Sequence, residues 1–254
     1  MNKVLSLTRR CVDDYNMISP GDRIAVGVSG GKDSLMLLMA LAKLREFYPV
    51  PFTVEAITLD LGTSNPAQGN DFQPVARLCQ DLEVPYTVIP SQIRWVIFNS
   101  RGEKNPCSLC SKMRRGALHA ALQERGITKI ALGHHYDDAV ETFFMSLIFE
   151  GRLSCFQPVT YLDRTGITQI RPLLYCGESL IRHTAQRLEL PVVHSTCPAD
   201  GNTKRQEIKE LIYELQGRYP GLKARAFGAM QRLPLPAWEP IEHRRRPLPE
   251  ELEG

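Results

Sequence analysis

The sequence predicts an α/β fold: a doubly wound, mainly parallel sheet followed by C-terminal helices. Three observations predict it. Short apolar runs alternate with longer helical patterns over the first ninety or so residues, in the order β-α-β-α-β. A glycine-rich turn, Ser29-Gly30-Gly31, joins the first apolar run to the first broad helix, the position at which such sheets bind ligands, beyond the carboxyl ends of the strands. The 254 residues show no internal repeat, and that length suits one large core.

The elements follow in order. Residues 2–18 carry Val4, Leu7, Cys11, Val12 and Tyr15 at helical spacing, and Pro20-Gly21 ends the pattern. Ile24 to Val28 reads as the first buried strand. Asp33 to Phe47 reads as a helix whose apolar face is so broad that it packs on a sheet. Val54 to Leu61 is a second strand, Thr63 to Asn70 a polar loop, Asp71 to Leu82 a helix and Tyr86 to Ile89 a third strand. From Ser91 to Pro106 the pattern weakens into a loop with Trp95 and Phe98 exposed. Cys107 to Arg125 is a helix, Lys129 to Gly133 a strand and Asp137 to Phe149 a helix. A weak strand at Thr168 to Leu174, a helix at Glu178 to Leu188 and a strand at Val192 to Ser195 come next. Helices at Thr203 to Tyr219 and Leu222 to Leu233 flank the Pro220-Gly221 break. Residues 1–233 form one domain on this reading. Residues 234–254, with five prolines and the run Arg244-Arg245-Arg246, read as a disordered tail.

Composition narrows the class. No apolar run approaches the roughly 18 residues of a membrane span, and the first ten residues hold too short an apolar segment for a secretory signal. A cytoplasmic protein with no membrane contact is expected. A net charge of +3 is too small to argue nucleic-acid binding by itself, so that argument rests on local patches.

The first chemical motif is Ser29-Gly30-Gly31-Lys32-Asp33-Ser34. Its glycines let the backbone curl with N–H groups inward, the following helix presents its positive end, and Lys32 adds a full charge, so the turn suits an anion. A Walker A loop needs four residues between its first Gly and the Gly-Lys pair, and this stretch lacks that spacing. It resembles instead the loop of the N-type (PP-loop) ATP pyrophosphatases, which have a HUP-like fold; the resemblance implies ATP cleaved to AMP and pyrophosphate.

The second motif is Gly133-His134-His135-Tyr136-Asp137-Asp138, with Glu141 and Thr142. The glycine admits a ligand close to the backbone. The two aspartates open a helix at the same sheet edge, where they suit Mg²⁺ or a proton transfer, or serve as ordinary N-cap and first-turn residues. The third is Cys107-Ser108-Leu109-Cys110 at a helix start, with Cys197 far downstream. Thiolates at that spacing are half of a metal site, and a helix N-terminus eases their ionisation. A Cys3His zinc site with His194 is a chemically sound alternative. Cys11, Cys79, Cys155 and Cys176 read as core or incidental residues.

Together with Ser111, Arg114, Arg115 and Gly116, these motifs resemble the TtcA family of tRNA 2-thiocytidine synthetases, over about residues 20 to 215. The resemblance implies thiolation of cytidine 32 in the tRNA anticodon loop through an adenylated base. It also implies a [4Fe-4S] cluster on Cys107, Cys110 and Cys197 with one iron open, ATP, Mg²⁺, a sulfur donor such as a cysteine desulfurase, and a homodimer. Carried onto this sequence, ATP is placed on Ser29, Gly30, Gly31, Lys32, Asp33, Ser34, Asp60, Gly133 and His134. Asp33, Asp137, Asp138 and Arg114 are placed in catalysis. The rival readings are ATP activation of another nucleoside or small molecule, a zinc enzyme using a cysteine persulfide, and a non-catalytic carrier.

Charge adds a local argument. Between Arg94 and Lys129 eight Lys or Arg stand against two Glu, and between Gly201 and Arg232 seven stand against three. Each stretch borders a candidate cysteine and suits RNA phosphates, or else is a solvated helix face.

Overall fold

The computed structural model describes residues 1–62, 71–97, 106–193 and 204–232, with side chains of the helix at 106 described from Leu109 on. Six strands form one sheet. β1 (Arg23–Gly27), β2 (Thr53–Asp60), β3 (Tyr86–Pro90), β4 (Lys129–Ala131), β5 (Val159–Leu162) and β6 (Ile167–Ile170) lie in the order β3-β2-β1-β4-β6-β5. All neighbours are parallel except β5, which pairs antiparallel with β6. Ile24 faces Val54 of β2 on one side and Lys129 of β4 on the other. The chain winds outward from β1 in one direction and from β4 in the other, so their junction is the point where strand order reverses and a crevice opens.

Helices cover the sheet: α1 (Asn2–Asp14), α2 (Lys32–Leu44), α3 (Gln73–Asp81), a short α4 (Ile93–Trp95), α5 (Pro106–Glu124), α6 (Tyr136–Met145), α7 (Glu178–Arg187), α8 (Lys204–Arg218) and α9 (Leu222–Arg232). Ile24, Ala25 and Val26 are buried on both faces of β1, as a central parallel strand requires. In α2, Leu35, Met36, Leu37, Leu38, Leu41 and Leu44 are all fully buried, because the helix is enclosed by the sheet, α1 and α7. Each such side chain contributes about 1.5–3 kcal/mol of burial free energy. That enclosure holds the start of α2, and the phosphate-loop motif with it, in place.

The sequence reading needs four corrections. β5 was not foreseen; it forms a hairpin with β6 whose turn has Gly166 at φ +66°. The strand expected from Val192 is absent over 191–193: Val193 donates its N–H to the carbonyl of Gly30 (2.9 Å), so this segment braces the loop rather than joining the sheet. Ser91 to Pro106 was read as a loop, but Ile93 to Trp95 is helical, with Ile93 and Ile97 buried and Trp95 45% exposed. The helix expected to Phe149 ends its α-helical part at Met145 and continues as a π-helical turn, Ser146–Glu150. The polar loop 63–70, Phe98, His194, Cys197 and the tail 234–254 lie outside the described residues.

Candidate functional site

The phosphate-loop motif leaves β1 and enters α2. Ser34 Oγ donates to the carbonyl of Gly31 (2.9 Å) and accepts from the N–H of Ser29 (3.1 Å), closing the turn on itself. Gly30 has φ +84°, and a Cβ there would lie 2.9 Å from Cβ of Val193. Gly31 is the N-cap of α2 and supplies no side-chain cap, so the first-turn N–H groups face outward for an anion. Thr58 of β2 donates its hydroxyl to the carbonyl of Val28 (2.8 Å), fixing the strand end beneath the loop.

Lys32 Nζ lies 3.0 Å from Asp33 Oδ2 and 3.3 Å from Glu178 Oε1. Burial alone would weaken its charge, but the two carboxylates outweigh burial and raise its pKa. Asp33 Oδ1 is buried with no hydrogen-bond partner, 3.8 Å from His135 Nε2. An orphaned carboxylate oxygen beside an uncapped helix start suits a metal-bound phosphate. Gly133 belongs to the same cradle, since a Cβ there would lie 3.1 Å from Asp33 C and Ser34 N. These features fit ATP.

The start of α6 separates its two aspartates. His135 is the N-cap: its Nδ1 accepts from the N–H of Asp138 (3.3 Å), while Asp138 Oδ2 accepts from the N–H of His135 (2.9 Å). Asp138 Oδ1 meets Arg205 of α8 at 3.2 Å. Asp137 points elsewhere, accepting from the N–H of Glu178 (2.7 Å) and from Lys223 Nζ of α9 (2.7 Å). Burial disfavours its ionised form, but Lys223 outweighs that and lowers its pKa. Both Asp137 oxygens are therefore engaged in holding α7 and α9.

Glu178 repeats the pattern. Its carboxylate bridges Lys32 and Lys209 Nζ (2.7 Å); burial opposes its charge, yet Lys209 and Lys32 bring the pKa down to about 2. A carboxylate whose pKa is lowered on folding stabilises above its unfolded value and loses that stabilisation as pH falls toward the folded one. Glu178→Gln is expected to reduce the unfolding free energy by about 2 kcal/mol at pH 7, after allowance for screening. Urea titrations from pH 7 down to about 2 should show most of the difference disappearing, because the native carboxylate of the wild type is about half protonated there and the unfolded one almost fully.

A cavity of about 760 Å³ runs under the loop between the sheet and α5. It reaches Ile57 and Leu59 of β2 at one end and Thr160 and Leu162 of β5 at the other, with Ser29 and His134 between. Burial first, then the nearby Arg171 charge, lower the His134 pKa to about 4, so the ring is neutral; it packs 4.9 Å from the Phe156 ring. Arg114, Arg115 and Ser111 bring the first half of α5 to the cavity wall. Cys110 lies one turn before Arg114 and is half-buried, and Cys107 lies three residues earlier on the same helix. Among the described residues no three metal-ligating side chains converge; two of the three candidate cysteines contribute no described side chain. Cys11 and Cys79 are buried, with thiol pKa values raised by burial, that of Cys79 to about 11, which leaves them inert packing groups.

Asp60, placed at the adenosine from the sequence, accepts from the N–H of Gly62 (3.1 Å) at the end of β2, while Leu59 beside it lines the cavity. Several charges of the basic stretches pair within the chain. Lys129 pairs with Asp22, Lys204 with Glu207, Lys209 with Glu178 and Lys223 with Asp137, and Arg94 is buried. Sequence reasoning missed Glu178, Lys223, Arg205 and Arg171 as site residues; the one available signal was a charged residue, Arg171, between strand residue Ile170 and the apolar stretch that follows Pro172.

Comparison with known proteins agrees with this geometry. The PP-loop domain family matches residues 5–215. The tRNA-cytidine(32) 2-sulfurtransferase of Dechloromonas aromatica is 39% identical over 226 residues, 88% of this chain and 77% of that protein. The Pseudomonas putida protein of the same name is 36% identical over 236 residues, 91% of this chain and 85% of its own. In structure, the U34-tRNA thiolase NcsA from Methanococcus maripaludis, solved with its [4Fe-4S] cluster, superposes with a TM-score of 0.72 at 23% identity, covering 96% of this chain and 82% of that one; at that identity it shows the shared fold. Among the described residues no helix is long and apolar enough to cross a membrane. The chain belongs to the PP-loop family and, within it, to the tRNA-cytidine(32) 2-sulfurtransferases.

Proposed function

We propose that the protein is an ATP-dependent tRNA sulfurtransferase that replaces the C2 oxygen of cytidine 32 in the anticodon loop with sulfur. The observation that carries this reading is one cavity touching both the phosphate loop at Ser29 and the cysteine-bearing helix at Ser111 and Arg114. Such a juxtaposition serves a reaction in which an activated oxygen is displaced by sulfur. The curated relatives of 36–39% identity support the same chemistry.

When bound, ATP supplies the activating group, converting the C2 oxygen of the base from a poor leaving group into AMP. Ser29 to Ser34 hold the pyrophosphate through backbone N–H groups, with Lys32 neutralising charge. Asp33, through its unpartnered Oδ1, and Asp138, once its Oδ1 leaves the Arg205 pair, would hold Mg²⁺. Asp137 orients α7 and α9 around them. Arg114, one turn past Cys110, faces the cavity as a charge for the developing phosphate or the departing AMP.

Cys107, Cys110 and Cys197 would hold a [4Fe-4S] cluster, which supplies a site for sulfide beside the acceptor base. A set of three thiolates suits a soft metal centre, and Cys110 directly precedes Ser111, which lines the cavity. The reading includes a cytoplasmic location, a separate sulfur donor such as a cysteine desulfurase, and a homodimer. Protein purified without oxygen is expected to be brown, with about four irons and matching sulfide per chain. Cys107→Ala, Cys110→Ala and Cys197→Ala should each lose the colour and the 2-thiocytidine in tRNA nucleoside digests. A colourless protein holding zinc would replace the cluster with a Cys3His site, and unmodified cytidine beside another thiolated product would move the substrate.

A further inference from the structure

The cavity is longer than one nucleotide needs. From β2 to β5 it spans four strand spacings in the order β2-β1-β4-β6-β5, about 19 Å at roughly 4.8 Å each. Ser29 of the phosphate loop meets it near the middle of that span, beyond the end of β1, and its two ends form chambers of different chemistry. The β2 chamber is apolar, walled by Ile57 and Leu59; the other sets Thr160, Gln169, His119 and Arg171 among Phe156 and Leu162.

Arg171 is the unusual group. It is 6% exposed, and its guanidinium donates to the Gln157 carbonyl, to Thr160 Oγ1 (3.1 Å) and to Gln169 Oε1 (3.3 Å), and stands 5.0 Å over the Phe156 ring. All of these are neutral. Its Nε has no partner, and among the described residues no carboxylate pairs with it or lines the cavity, while Arg114 and Arg115 add two more cations to the wall. A buried charge without a counter-charge is costly. A carboxylate at position 169 would relieve it at no cost in volume, yet the position holds an amide.

We propose that the β5–β6 chamber is the pocket for the flipped-out acceptor pyrimidine, with Arg171 as the fixed cation that polarises the ring as electron density builds on N3. The inference rests on the thiolation reading and names where in the cavity its second substrate binds. In-line displacement at the α-phosphorus needs the attacking oxygen opposite the pyrophosphate, so a base in this chamber approaches from the side away from the apolar adenosine slot. When a hydrosulfide adds to C2 of the adenylated ring, the C2–S bond forms and the C2=N3 electron pair moves onto N3. The pair then returns, the C2–O bond breaks, AMP leaves with its electrons, and the sulfur sheds its proton to solvent or buffer. Electron density on N3 is greatest between those two events, and a preorganised cation in a low-dielectric wall acts on it most strongly then.

Gln169→Glu tests this without changing volume, because it pairs the guanidinium internally. The variant is expected to melt at or above the wild-type temperature and to bind ATP with unchanged affinity, while tRNA thiolation falls by about 100-fold or more. Unchanged thiolation would overturn the proposal and leave Arg171 a packing residue. Leu162→Trp, which fills the β5 end, covers the case in which Gln169→Glu does not fold: loss of thiolation with intact ATP affinity supports the pocket, and joint loss assigns the chamber to ATP and overturns it. A wild-type enzyme that releases AMP but never thiolates tRNA overturns the underlying function as well, whereas an active wild type with an equally active Gln169→Glu overturns the pocket alone.

Discussion

Gly30→Ala is expected to abolish measurable ATP binding and to lower the unfolding free energy by about 3 kcal/mol. Two costs combine. The residue sits at φ +84°, where a side chain costs about 1–2 kcal/mol, and its new Cβ would stand 2.9 Å from Cβ of Val193. Val193 cannot yield by a rotamer change, since the overlap is with Cβ itself and its own N–H is bonded to the Gly30 carbonyl. Relief requires the loop to move, which tilts the N–H groups meant for the phosphates. Denaturant titration measures the first effect and isothermal titration with ATP the second; wild-type affinity in the variant would show that the loop does not hold the nucleotide.

Asp137→Ala and Asp138→Ala are expected to diverge although the residues are adjacent. Asp137→Ala strands Lys223 in a half-buried site and releases the N–H of Glu178, a loss of about 3 kcal/mol, seen as a lower melting temperature. Asp138→Ala costs about 1 kcal/mol through the N-terminal cap of α6. It should nonetheless reduce AMP formation about 1,000-fold, if Asp138 and Asp33 share the metal. Melting curves and AMP release with tRNA, measured on both variants, separate the roles. Equal thermal losses, or a more active Asp138→Ala enzyme, would reverse the assignment.

These two aspartates show where sequence reading stops. Both open a helix after a glycine, and nothing local distinguishes the one that faces Arg205 from the one that reaches Lys223, because the partners lie 67 and 86 residues away. The parallel core was legible for the opposite reason: β1, α2 and β2 carry long runs of one polarity, and burial on both faces needs no knowledge of the partner. β5 escaped notice because Val159–Leu162 is only four residues long, and three of the four are only partly buried. Val192 and Val193 misled in the other direction. Their β-branched side chains favour extended backbone, but the available N–H goes to a loop carbonyl rather than to a strand. Counting charges does not separate free groups from paired ones: Asp22, Asp137 and Glu178 neutralise Lys129, Lys223 and Lys209 of those stretches from distant segments.

The last helix also sets a constraint on synthesis. Gln231 of α9 donates to the hydroxyls of Tyr15 and Tyr175 (3.2 and 3.3 Å), and Phe227 stacks on Tyr136 at 4.6 Å. Residues near the two ends of the described chain thus close over the same patch of core. On a ribosome, the segment around α1 would emerge first and wait for α9 at roughly 5–20 residues per second, so more than ten seconds pass with that patch uncovered. Over the last 56 residues of that interval, about 3–11 seconds, the nascent chain exposes Tyr15, Tyr136 and Tyr175 together, a surface on which a chaperone can act before α9 covers it.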